Sequence, residues 1–112
     1  MTIWTVKPIN EAPEIELEQW QIIEARSPYW DGVTRHFVGY NITDCEGRVS
    51  SAITQFDETK MQGITRSGRV YKLVGKPNWN KDAEYVWCRW CSINHVEDQQ
   101  NITKEFTDGQ KS

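Results

Sequence analysis

No apolar run in this chain approaches the ~20 residues that a membrane-crossing helix requires. The first twenty residues, MTIWTVKPINEAPEIELEQW, lack a basic start, an apolar stretch and a small-residue cleavage site. The expectation is a cytoplasmic protein with no membrane partner. Cysteine is scarce and odd in number: Cys45, Cys88 and Cys91 do not make a disulfide framework. Gly63, Gly68 and Gly75 are spaced as turns and bulges, so no phosphate-cradling loop exists. Ser50, Ser51 and Ser67 stand in no G-x-S-x-G elbow, and His36 and His95 are the only histidines. Internal repeats and low-complexity tracts are absent. These gaps leave little for an enzyme to use, and we read the chain as non-enzymatic.

Aromatic residues, by contrast, are plentiful. Six Trp, four Tyr and three Phe among 112 residues exclude a disordered chain. That length holds one domain with one modest core. The net charge of −3 is unevenly spread. Residues 32–80 carry seven cations against four carboxylates, whereas the flanking segments are both acidic. A two-signed surface of this kind orients a protein partner. It falls short of the strongly basic domain expected of a dedicated nucleic-acid binder.

The pattern along the chain is mostly β. TIWTV reads as a short strand stopped by Pro8, and the acidic, Pro-interrupted 9–18 as a connector or edge strand. In 19–26, Trp20 and Ile22 fall on one face, Ile23 and Ala25 on the other. SPYWDG, 27–32, is an aromatic-tipped loop. Four strands then follow over 34–43, 48–56, 61–66 and 69–74, joined by short turns at DCEG, DETK and Ser67-Gly68. Val70, Lys72 and Val74 share one face of the last strand, Arg69, Tyr71 and Leu73 the other. Beyond GKPNWN the period changes. Ala83, Val86, Trp87, Trp90, Ile93 and Asn94 fall on one helical arc, with Asn80 or Asp82 as cap, predicting an amphipathic helix over about 81–94. A last strand is expected around Ile102–Phe106, with fraying after it. The fold class is α+β: a curved antiparallel meander or small barrel covered by one C-terminal helix, in a single domain.

Each candidate chemistry has a plainer competitor. Trp87-Cys88-Arg89-Trp90-Cys91 matches a W-C-x-x-C redox motif, but a reactive pair needs its first Cys at a helix N-terminus, and this pair falls mid-helix. Cys88, Cys91 and His95, at i, i+3 and i+7, carry the ligand atoms zinc prefers. The pair is single, and packing of small buried thiols explains it more simply; no cofactor is expected. His36 reads as a strand residue facing solvent or packing on a neighbour. The triplets Asn41-Ile42-Thr43 and Asn101-Ile102-Thr103 read as a turn and a strand entry, not as glycan acceptors. The hairpin cations Arg66, Arg69, Lys72 and Lys76 surround Tyr71 and Trp79, a combination that can hold phosphates and stack bases.

The stretch from His36 to Trp90, with the strings HFVGY, EGRVSS, TRSGRVYKLVG and AEYVW, resembles a group of short bacterial proteins that includes prophage and plasmid genes. The resemblance implies a self-contained small domain with a mobile-element accessory role, such as docking on and blocking a host protein. The leading expectation is a protein-binding module that uses Tyr29, Trp30, Arg66, Arg69, Tyr71 and Trp79. A nucleic-acid-binding β domain built on the basic hairpin is the alternative.

Overall fold

In a computed structural model of the chain, residues 14–107 are described. The predicted strand at TIWTV, Trp4 included, and the tail from 108 lie outside them.

The segment EIELEQWQIIEAR forms one long strand, β1 (Glu14–Arg26). Its apolar residues change phase midway: Ile15 and Leu17 are odd-numbered, Trp20 and Ile22 even. All four nevertheless join the same buried cluster. A bulge reconciles them. Gln19 takes a left-handed φ of 47°, and the pairing register shifts between Glu18 and Gln21. One inserted residue restores the inward face after the phase change, because strand side chains alternate with period two. The sequence reading separates 9–18 from 19–26 because the former is acidic and interrupted by Pro13; from Glu14 onward the two form one strand.

β1 is the centre of the sheet, so residues 14–18 are neither the connector nor the edge strand expected of 9–18. β2 (Val33–Asn41) pairs antiparallel along one side of it. On its other side the first half pairs parallel with β6 (Val70–Leu73), and the second half pairs antiparallel with β7 (Asp98–Asn101). With β3 (Glu46–Val49), β4 (Ile53–Asp57) and β5 (Gln62–Thr65), the described residues make a seven-stranded sheet: six strands in the order β3-β2-β1-β6-β5-β4, and β7 off that path on β1. The expected meander is therefore two hairpin systems. The predicted strand 48–56 breaks at Ser50, whose side chain accepts the Phe37 N–H at 2.9 Å and donates to the Ser51 carbonyl at 2.7 Å. β3 and β4 part there. The sheet is mixed and curved but not closed into a barrel; its curl brings Phe56 of β4 to 5.7 Å from Phe37 of β2, ring to ring.

Helix α1 (Lys81–Ile93) covers the opposite face, close to its predicted bounds. Asn80 caps it by accepting the Ala83 N–H at 3.0 Å, and its amide also donates to Gln19 at the bulge. Ala83 and Trp87 are buried with Ile23, Ala25 and Val38, and Trp90 packs against them. Ile93 departs from the predicted arc: it falls at the edge of the face that Ala83, Trp87 and Trp90 turn to the sheet and is 68% exposed. Beside Gly47 the helix start meets β3 so closely that a Cβ would land on the Asp82 carbonyl.

The predicted last strand is replaced by β7 and a one-turn helix, α2 (Thr103–Thr107). The buried Thr103 hydroxyl accepts the Ile22 N–H at 2.9 Å, ending the ladder with β1, and Asn101 Oδ1 accepts the Thr103 N–H. In the other N-x-T triplet, the buried Asn41 accepts from Thr43 and Asp44 N–H groups in a turn. Both asparagines are structural turn-formers.

Candidate functional site

Alternation along β2 puts Thr34, His36 and Val38 on the side of the sheet that α1 covers. α1 starts over β3, beside Gly47, and ends by the β1–β2 loop, where the Ser27 hydroxyl donates to the Asn94 carbonyl. There a cleft of about 490 Å³ forms between the β1–β2 loop, β2, the break after β3, the β5–β6 turn and the end of α1.

Its walls are aromatic. Trp90 lines the cleft and is backed by the buried Trp87, with which it stacks at 5.2 Å as i, i+3 neighbours on a helix can. The His36 ring lies 4.5 Å from Trp90 and 6.2 Å from Trp30, and Trp30 reaches Trp90 at 5.6 Å. Tyr29, at the mouth, is 74% exposed and rests edge-on against His95 at 5.1 Å. Polar groups at the rim and floor are Asp31, Thr34, Ser51, Arg66 and Asn94.

His36 is buried with both ring nitrogens bonded: Nδ1 at 2.9 Å from the Ser50 carbonyl and Nε2 at 2.7 Å from Thr34 Oγ1. A carbonyl only accepts, so Nδ1 carries a proton. Burial holds the imidazole below its ordinary pKa of 6.5, because an imidazolium would lose its water; the Ser50 carbonyl opposes this shift and the Arg66 charge adds to it. A neutral ring with Nδ1–H leaves Nε2 bare, and Nε2 therefore accepts the Thr34 hydroxyl proton.

The cleft unites two segments that the sequence presented separately. Tyr29 and Trp30 from the loop and Arg66 from the hairpin all line it. The other three predicted residues lie elsewhere. Tyr71 is a core residue, 1% exposed, and its hydroxyl accepts from Arg48 Nε at 2.8 Å. It is not an accessible anchor, because the β6 face shared by Tyr71 and Leu73 points inward. Arg69 is half-buried in the turn after Gly68, with its carbonyl accepting the Thr65 N–H. Trp79 is 48% exposed in the segment before α1, outside the cleft. Sequence reasoning missed Trp90, Asn94 and His36 as cleft residues. The shared parity of Thr34, His36 and Val38 was the signal available for the last.

The cysteine and basic clusters look different in three dimensions. Cys88 is exposed and Cys91 half-buried on α1, where burial and the neighbouring Cys88 push the Cys91 thiol up to about 11. That is the reverse of an activated redox thiol. His95 follows the helix end in a left-handed φ of 56° with its ring on Tyr29, so Cys88, Cys91 and His95 do not converge. Among the described residues no three His, Cys, Asp or Glu side chains are grouped to hold a metal ion. Two cations near the basic hairpin are engaged within the fold: Arg48 lies over the Tyr71 ring, and Arg35 pairs with Glu24 and covers Phe106. Among the described residues no helix is long and apolar enough to cross a membrane.

No family model, curated protein or solved structure matches the chain.

Proposed function

We propose that this chain is a binding module that docks on another protein through the Trp30–Trp90–Arg66 cleft. One observation carries the reading: a half-open cleft walled by indoles with an exposed arginine at its edge. Trp, Tyr and Arg are the residues that dominate binding energy at protein interfaces, and a partly desolvated pocket is where they do so. The apolar walls would take a side chain of the partner, and Arg66 a carboxylate or carbonyl beside it. The resemblance to short prophage and plasmid proteins makes a host protein the partner of choice, with an accessory or inhibitory outcome.

Nucleic acid is the second reading, supported by Arg66, Arg69, Lys72 and Lys76 on one hairpin. The Arg48–Tyr71 hydrogen bond and the surface Arg35–Glu24 pair occupy two of the neighbouring cations, which favours protein over phosphate. Capture from the native lysate, with and without nuclease, separates the two. A protein module retains one stoichiometric partner after nuclease and binds it with a shallow salt dependence. A nucleic-acid binder loses its catch, and its affinity falls steeply with salt as counterions are released.

A further inference from the structure

The cleft contains more than binding requires. Thr34 and His36 sit two residues apart on β2, on the same face, and both line it. Thr34 Oγ1 is 2.7 Å from Nε2, and Nδ1 is held 2.9 Å from the Ser50 carbonyl. The order is hydroxyl, imidazole, fixed acceptor: a nucleophile within reach of a base that a third group orients. The Ser50 carbonyl stands where such sites place a carboxylate, and it is fixed because the Ser50 N–H donates to Phe37 and the Ser50 hydroxyl ties β2 to the strand break. Stacked indoles shield the ring from water on the helix side. Arg66, which lines the same cleft, supplies a positive charge of the sign that a developing oxyanion needs.

We propose that Thr34 is an acyl-accepting nucleophile, with His36 as its general base, and that the cleft acts on small carboxylic esters. Thr34 Oγ1 forms a bond to the acyl carbon while its proton passes to His36 Nε2. The C–O bond to the leaving group breaks, and the departing oxygen takes that proton from Nε2. Water then attacks the acyl-threonine. Its proton returns through Nε2 to Thr34 Oγ1, and its oxygen leaves in the carboxylic acid. The inference goes beyond docking and uses the same cleft. It also departs from the non-enzymatic reading of the sequence, in which Thr34 and His36 share a strand face but neither the Ser50 carbonyl nor the cleft is visible.

The groups that face His36 define its pH response. Arg66 comes from the β5–β6 turn, Asp31 lines the cleft from the loop, α1 presents Trp87 and Trp90, and β1 places Ile23 opposite in register. The base is active when neutral, so the acylation rate should rise with pH and level off below 6.5, the ordinary value.

The test is incubation of the purified chain with 4-nitrophenyl acetate, following nitrophenolate release and mapping acetyl groups by peptide mass spectrometry. The expected result is acetyl on Thr34, a rate that levels off below 6.5, retention in Thr34→Ser and a fall of roughly 10²-fold or more in Thr34→Ala. Should Thr34→Ala not fold, the mapped position, the pH profile and the serine variant still decide. Acetyl found only on lysines or the N-terminus, a rate no greater than that of the urea-unfolded chain, or equal rates in Thr34→Ala and wild type would overturn the proposal. Partner capture is read separately: intact capture without Thr34 acylation refutes this inference and leaves the docking reading standing.

Discussion

At the scale of single residues, His36 links the fold to the cleft. Burial disfavours its charged ring, so the folded imidazole is neutral at and above the ordinary value of 6.5. The unfolded chain takes up a proton near 6.5, the folded chain only at lower pH. The contribution to stability is therefore complete above 6.5 and is lost as pH falls from there through the folded pKa. Urea midpoints measured on either side of 6.5 should fall on acidification, and a His36→Gln variant, though weaker throughout, should show a smaller change. An identical pH response in the two proteins would remove His36 from the account. Arg66 contrasts with Tyr71. Both were legible as candidate contacts by residue type, but exposure in a sheet depends on which face the strand turns inward. For β6 the alternation alone gave two faces, and the burial of Tyr71 beneath Arg48 selected between them.

At the scale of elements, local signals were read well and distant pairings were not. The helix over 81–94, the Ser67-Gly68 hairpin and the loop 27–32 depend on caps, turn residues and periodicity within a few positions, and the structure bears them out. The parallel pairing of β1 with β6 joins residues more than fifty positions apart, and nothing in EIELEQ specifies that partner. The tail was misread because Ile102 and Phe106 are apolar in either a strand or a helix. Thr103 decides the matter by taking the Ile22 N–H that a longer β7 would use. Gly47 tests how tightly the elements fit. A methyl group there meets the Asp82 carbonyl at the start of α1, and backbone at a helix cap has little freedom to move. Gly47→Ala should cost ~1–3 kcal/mol in urea unfolding. A cost below about 0.5 kcal/mol, the range of ordinary surface substitutions, would show that α1 sits further from β3.

At the scale of the whole molecule, two clusters lie on opposite faces of one sheet, and the cleft opens between β2, the end of α1, the β1–β2 loop and the β5–β6 turn. Its existence follows from assembly: the loop, the hairpin turn and the helix end are far apart in sequence, so residue types could nominate Trp30 and Arg66 but not bring them together. The most direct measurement of the central claim is partner capture from nuclease-treated native lysate by four proteins: wild type, Arg66→Glu, Trp30→Ala and Trp79→Ala, each first shown to be folded. The account predicts one stoichiometric protein bound by wild type and by Trp79→Ala. It predicts loss of ~1–2 kcal/mol or more of affinity in Trp30→Ala and Arg66→Glu. Equal capture by all four, or loss confined to Trp79→Ala, would contradict the cleft as the docking site.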